Sequence, residues 1–180
     1  IAAGADKILL DVKVGNGAFM KNIDSAVELA STMVEIGKLV NRETIAILTS
    51  MEEPLGAAVG NSLEVIEAIE VLQGRGPTSL RDVCLVLGSY MIKLAGRVET
   101  LDEGRYLLTE LLNNKSALMK FKEFIAGQGG NAAIVDDYNL LPQAKYKITV
   151  SSSQKGYINH IDAAKIGYAA MILGAGREYK

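Results

Sequence analysis

The hydrophobic positions of the chain change period several times, and each change marks an element. Lys7-Ile-Leu-Leu-Asp-Val12 is a short, almost continuous apolar run between Gly4 and Gly15. A run of that length without alternation predicts a strand covered on both faces. Val14-Gly-Asn-Gly-Ala-Phe19 follows as a glycine turn, and a 3.6-residue stripe of Ala26, Val27, Ala30, Met33 and Val34 predicts a helix over 24–41. Ser25 and Glu28 have capping-box spacing at its start. Thr44-Ile-Ala-Ile-Leu-Thr49 reads as a second buried strand, and Val65, Ile66, Ala68, Ile69 and Leu72 as a second helix. Asn61 and Glu64 stand three apart at its start, and Gly74-Arg-Gly-Pro77 ends it. Strand, helix, strand, helix with short connections is the signature of a parallel sheet.

The middle of the chain is helical. Leu80, Val83, Leu87, Tyr90, Met91 and Leu94 keep helical spacing, and Thr100-Leu-Asp-Glu103 forms a capping box for a helix running to about Asn113. A further helix over 115–126 carries Met119, Phe121, Phe124 and Ile125 and stops at Gly127-Gln-Gly-Gly130. After Pro142 the pattern changes again. Tyr146-Lys-Ile-Thr-Val150 alternates, Ser151–Ser153 and Gly156 suit a turn, and Tyr157-Ile-Asn-His-Ile161 resumes extended character, which together predict a hairpin. Asp162 then caps a last helix through Ile172, closed by Gly174 and Gly176. A subdomain boundary is placed at 140–145.

Composition narrows the function. Across 180 residues, 19 Lys and Arg balance 21 Asp and Glu, giving a net charge of −2 and no excess of cations for a nucleic-acid surface. No apolar run approaches the roughly 20 residues of a membrane span, and no signal peptide opens the chain. One cysteine, Cys84, rules out an internal disulfide and fits a reducing cytosol; its place on the apolar side of a helix reads as a small buried hydrophobe. One histidine, His160, has no Ser, Cys or Asp partner in sequence and reads as structural or exposed. The first residue is Ile1 rather than Met, and a strand follows almost at once, so the chain reads as the interior of a longer protein.

Candidate chemistry gathers at the strand ends. Gly15-Asn16-Gly17 resembles half of a phosphate cradle, yet with Met20 in the last position it fits neither G-x-G-x-x-G nor a P-loop, and a plain turn stands as the other reading. Asp11 and Lys13 lie where open α/β sheets hold ligands, and Lys7, Lys13 and Lys21 read equally as solvated charges. The loop Pro54–Gly60 is apolar and glycine-containing, and Glu64 and Glu67 follow it. Carbonyls freed by such a loop beside a carboxylate suit a hard cation, while a solvated helix face is the simpler alternative. No nucleophile, base and orienting group come together.

Two stretches read as a pair say more. Ala5-Asp-Lys-Ile-Leu-Leu-Asp-Val-Lys-Val-Gly-Asn-Gly-Ala-Phe-Met20 and Pro54-Leu-Gly-Ala-Ala-Val-Gly-Asn-Ser-Leu-Glu-Val-Ile-Glu67 resemble conserved segments of the thymidine and pyrimidine-nucleoside phosphorylases, at that family's spacing. The similarity continues through Gly129-Gly-Asn131 to Ala169-Ala-Met-Ile-Leu-Gly-Ala-Gly-Arg177. Ser50 departs from it, since members often carry Asp there.

The resemblance implies an α/β fold: part of a mixed, largely parallel sheet with flanking helices, then a helical stretch and the start of an α+β C-terminal subdomain. On that pattern residues 1–4 are the tail of a small helical domain, 5–142 part of the large α/β domain and 143–180 the truncated C-terminal subdomain. It implies reversible phosphorolysis of pyrimidine nucleosides to free base and (deoxy)ribose 1-phosphate, with phosphate as co-substrate, no organic cofactor, a cytoplasmic homodimer, and residues for phosphate and base binding upstream of Ile1. Phe19 matches an aromatic lining the base pocket. Leu55 and Ala58, through carbonyls, and Glu67, through its carboxylate, match a monovalent-cation site, usually potassium. The alternatives are glycosyl transfer like that of anthranilate phosphoribosyltransferase, against which residues 144–177 argue, and a non-catalytic assembly or binding module.

Overall fold

A computed structural model describes residues 4–175. The reading of residues 1–4 as a helix tail, all but Gly4, and the helix stop at Gly176 lie outside the described residues. Strand β1 (Lys7–Val14) pairs in parallel with β2 (Glu43–Ser50), Lys7 beside Glu43 and Val14 beside Ser50. Helix α1 (Ile23–Leu39) makes the crossover. Its apolar stripe lies on the even-numbered face of the strands: Val12, Ala26 and Ala30 are buried, with Leu10, Val14, Met20, Ala46 and Leu48 packed around them. Removing that surface from water holds the unit together at about 25 cal/mol per Å².

Two expectations about this unit need correction. The strands are not covered on both faces. Most of their residues are half-exposed, because α1 covers one side while α3 (Thr78–Leu94) reaches only part of the other. Ser25 is not the cap of α1 either. Asn22 stands in extended geometry and its side chain accepts the Ser25 N–H at 2.9 Å, so the amide three residues earlier takes the capping role.

Helix α2 (Asn61–Leu72) begins at Gly60, which has φ 108, and its cap makes no side-chain hydrogen bond. Asn61 therefore does not cap it. The other half of the expected box is present, because Glu64 Oε1 accepts the Gly60 N–H at 2.7 Å. Ile69 and Val71 of α2 are buried, as is Val135 in a 3-10 turn (Ala132–Val135). α3 packs on α4 (Leu101–Asn113) around buried Leu85 and Ser89, whose hydroxyl returns to the Leu85 carbonyl at 2.6 Å. The Thr100–Glu103 capping box forms as expected, with the Glu103 carboxyl lowered by the Thr100 and Glu99 N–H groups it accepts. α5 (Ser116–Gly127) follows, then the 3-10 turns Ala132–Val135 and Tyr138–Leu140.

The hairpin does not form. Residues 146–161 form neither helix nor strand, and Tyr146, Ile148, Val150, Tyr157 and Ile158 are 74–102% exposed. An isolated two-stranded hairpin is marginal in water, and no layer among the described residues covers its apolar side. Asp162 does cap α6 (Ala163–Ala170), accepting the Lys165 N–H at 2.9 Å, and a π turn (Met171–Ala175) follows.

Candidate functional site

The carboxyl ends of β1 and β2 and the loops that leave them hold most of the residues singled out above, with Glu64 and Glu67 following on α2 and Lys7 at the opposite, amino end of β1. On the odd-numbered face, the register sets Lys13 beside Thr49. The Thr49 hydroxyl donates to Asp11 Oδ1 at 2.5 Å and accepts from Lys13 Nζ at 2.8 Å, and Lys13 also pairs with Asp11 at 2.7 Å. Lys13 is thus a fixed cation tying two strand ends, while Lys7 pairs with Glu43 and Lys21 donates to the Asn16 carbonyl at 2.6 Å. The Asp11–Lys13–Thr49 cluster was readable in principle from the parallel register, which brings position 49 opposite 13; the unaligned strings do not show it.

The loop after β1 is a closed turn. The N–H groups of Gly15, Gly17 and Ala18 donate to the carbonyls of Met20, Met51 and Gly15 at 2.8–3.0 Å, and the Asn16 N–H donates to Glu52 Oε2 at 3.1 Å. With all four amides engaged inside the protein, this loop has no free donor array for an anion. The plain-turn reading holds. Gly15 has φ 130, and a Cβ there would lie 2.7 Å from the Glu52 backbone nitrogen. Glycine is required by both conformation and space. Ser50 keeps an acceptor at the position that departs from the family pattern, its hydroxyl receiving the Glu52 N–H at 3.4 Å.

Phe19 projects from this turn, 97% exposed, into an open cleft of about 670 Å³ that Asp11, Lys13, Met20, Met33 and Met51 also line. Among the described residues nothing packs it into the core.

The second loop is built from the opposite chemistry. Glu67 Oε1 accepts the N–H groups of Ala57 and Ala58 at 2.8 and 3.0 Å, and Glu64 takes that of Gly60. Glu64 and Glu67 are three apart on α2 and so face the same way. They hold the loop by its amides, Glu67 half-buried and Glu64 still exposed to solvent. A Cβ at Gly56 would lie 1.8 Å from Glu67 Oε2, so the carboxylate sits directly against the backbone. The Leu55 carbonyl accepts the Ser79 hydroxyl at 3.1 Å. Leu55, Ala58 and Glu67 line one cavity of about 420 Å³, with Met51, Glu64 and Ala163. Met51 lines both this cavity and the Phe19 cleft.

These oxygens fit a hard cation. Glu67 Oε2 has no hydrogen-bond donor among the described residues, the Leu55 carbonyl keeps a second lone pair, and hard cations take carboxylate and carbonyl oxygens. Among the described residues no group of three or more His, Cys, Asp or Glu could hold a metal ion. A cation here would therefore depend mainly on backbone oxygen.

Two other residues stand apart. His160 is exposed in the segment without helix or strand, the second of its two expected readings. Cys84 is exposed rather than buried, because α3 turns Leu85 and Ser89 inward and leaves its neighbour outside. Partial desolvation pushes its thiol up, and Lys13 opposes this. A network missed from sequence joins α2 to the 3-10 turns. Arg75 forms a two-pronged bond to Glu70 at 2.6 and 2.9 Å, and the Tyr138 hydroxyl donates to Glu70 at 2.6 Å. Arg75 and then Tyr138 hold the Glu70 carboxyl down at about 2. Its members lie up to 68 residues apart, and no local pattern announces them.

No helix of the described residues is long and apolar enough to cross a membrane. Compared with known proteins, the chain is 52% identical over all 180 residues to the pyrimidine-nucleoside phosphorylase of Geobacillus stearothermophilus. It is 53% identical to that of Bacillus subtilis (strain 168) and 52% to that of Staphylococcus haemolyticus, again over its whole length. In each case it covers 42% of the relative, so the chain spans about two fifths of the length of the curated relatives it matches. The family model described as the glycosyl transferase family, a/b domain, matches residues 1–118, which include β1, β2, both loops and the cavity-lining residues of α2. With two thirds of its residues under that match, the chain belongs to the glycosyl transferase family, a/b domain.

Proposed function

We propose that this chain serves an enzyme of reversible pyrimidine-nucleoside phosphorolysis. The observation that carries the proposal is identity of 52–53%, sustained over the whole chain, to proteins named pyrimidine-nucleoside phosphorylase. In the reaction, the bond between sugar C1′ and the base nitrogen breaks and a bond from C1′ to a phosphate oxygen forms. The base leaves with the electron pair and takes up a proton, and the sugar leaves as (deoxy)ribose 1-phosphate. Uridine, thymidine and deoxyuridine are the substrates the reading covers, in a cytoplasmic homodimer.

Within that reaction Phe19 flanks the base, its exposed ring offering an apolar face across the first cleft. Leu55, Ala58 and Glu67 hold a monovalent cation, potassium being the ion proposed. Such an ion would neutralise the Glu67 carboxylate and stiffen the 54–60 loop. Residues 1–4 belong with the tail of a small helical domain, 5–142 with the large domain and 143–180 with a C-terminal subdomain. The groups that grip phosphate and base lie outside the chain, and the 180-residue polypeptide alone is expected to turn over no nucleoside.

The test is chromatographic. A protein carrying this segment at the relatives' full length should release uracil or thymine from uridine or thymidine only when inorganic phosphate is present. Base release without phosphate would overturn the reading, as would no release under either condition.

A further inference from the structure

We infer that Thr49 is a positioning residue for the cleft beside Phe19, its hydroxyl fixing where Asp11 and Lys13 stand in the cleft wall. The inference rests on the reading that the base of a nucleoside lies against Phe19. Asp11 and Lys13 both line that cleft, whereas Thr49 lines neither it nor the second cavity. Whatever Thr49 does for a ligand there, it does through these two side chains.

Register and chemistry place the hydroxyl. Residues 11 and 13 lie on one face of β1, because successive side chains of a strand alternate. Parallel pairing sets Thr49 beside Lys13 on that face. An ammonium only donates, an ionised carboxylate only accepts, and a hydroxyl does each. The Thr49 hydroxyl therefore has one direction open to it, accepting from Lys13 at 2.8 Å and donating its single proton to Asp11 Oδ1. Lys13 closes the ring on Asp11 Oδ2 at 2.7 Å, so each carboxylate oxygen holds a donor.

An ion pair alone would not hold this arrangement. Pairs that solvent reaches contribute little, and lysine carries its charge on a flexible four-carbon stem. The hydroxyl is the uncharged member of the ring, and it comes from β2, whereas both charges come from β1. It pins the pair to a second strand and keeps the ammonium at the wall, clear of the space that Phe19 bounds. The same strand end also holds the turn that bears Phe19. Two residues past Thr49, the Met51 N–H donates to the Val14 carbonyl at 2.7 Å, and the Met51 carbonyl accepts the Gly17 N–H at 2.8 Å. The charged pair and the aromatic ring thus stand on one backbone frame. Removing the hydroxyl leaves those backbone bonds in place and frees the pair alone.

Steady-state kinetics of a protein carrying this segment at the relatives' full length tests it. Thr49→Val keeps the branched shape and removes the hydroxyl. It should raise KM for uridine about tenfold, hold kcat within about twofold and leave KM for phosphate unchanged, the pattern of lost ground-state placement. Thr49→Ser restores the hydroxyl and should return KM for uridine to within about twofold of the unsubstituted protein. In a Phe19→Ala background the Thr49→Val effect should fall below about twofold, because the pair then has no ring to work with. A KM for uridine that does not rise in Thr49→Val, whatever happens to kcat, would overturn the inference. So would an equal rise with Phe19 present or absent, which would make the tie merely structural. Should Thr49→Val fail to fold, Thr49→Ala replaces it with the same expectations. An unsubstituted protein that cleaves no nucleoside in the presence of phosphate would overturn the phosphorolysis reading itself, and this inference with it.

Discussion

The two loops at the carboxyl end of the sheet are both glycine-containing, both follow a strand, and are satisfied in opposite ways. In 15–18 the amides end mainly on backbone carbonyls, with one carboxylate at Asn16. In 54–60 the amides of Ala57, Ala58 and Gly60 end on the carboxylates of Glu67 and Glu64. The first arrangement consumes its donors and makes a rigid support for Phe19. The second binds the loop amides to negative charge, brings a carboxylate into the cavity and leaves carbonyl oxygens to meet a ligand. A glycine count does not distinguish these outcomes. What decides is where the N–H groups point.

The largest effect expected of a single substitution falls on the first loop. Gly15→Ala places a Cβ at φ 130 and 2.7 Å from a backbone nitrogen, and backbone cannot move aside as a side chain can. The cost should be about 3 kcal/mol, measured as a lowered denaturant midpoint with unchanged slope. A loss below about 1 kcal/mol would show that the turn is not the rigid element this comparison makes it.

The second loop should separate into structural and electrostatic parts. Glu67→Ala strips the acceptor from two amides and should cost about 2 kcal/mol, discounted for their partial exposure. Glu67→Gln keeps an acceptor oxygen and removes the charge, so it should cost less than half as much. Under the cation reading, both variants should nevertheless lose potassium activation of nucleoside cleavage in the full-length context. Potassium activation that survives Glu67→Gln would remove the carboxylate charge from the site and leave Glu67 as a loop anchor only.

Much of the fold was legible because it depends on short-range pattern. The expected strand 7–12 and helix 24–41 differ from Lys7–Val14 and Ile23–Leu39 by two residues or fewer at each end. The Thr100–Glu103 box forms as spacing demands. Failures occur where long-range partners decide. Tyr146, Ile148 and Val150 alternate as a strand should, yet a strand needs a neighbour, and none is present among the described residues. Asn22 displaced Ser25 because the helix begins earlier than its apolar stripe. At the site, the motif resemblance named Leu55, Ala58 and Glu67, and they do line one cavity. The amides on Glu67, the Ser79 bond to Leu55 and the Asp11–Lys13–Thr49 tie belong to geometry that no string of residues displays.

The smallest effect concerns the far end of α2, and it tests whether the second loop depends on the helix that carries its anchors. Glu70 is held in place by Arg75 and Tyr138, and beyond it Gln73 donates to the carbonyl of Val135, which is 1% exposed. Because its folded carboxyl is lowered from 4.5 to about 2, its contribution is full above the unfolded value and is lost as pH falls through about 2. Tyr138→Phe removes one donor to the carboxylate and should cost about 1 kcal/mol at neutral pH. The carboxyl should then titrate at higher pH, so the acid-unfolding midpoint moves upward. If α2 transmits this to its first turn, exchange should quicken at Ala57, Ala58 and Gly60 while Gly15, Gly17 and Ala18 stay unchanged. Equal acceleration in both loops would mean that the loss is global. The two loops would then share one support rather than the separate ones their hydrogen bonds describe.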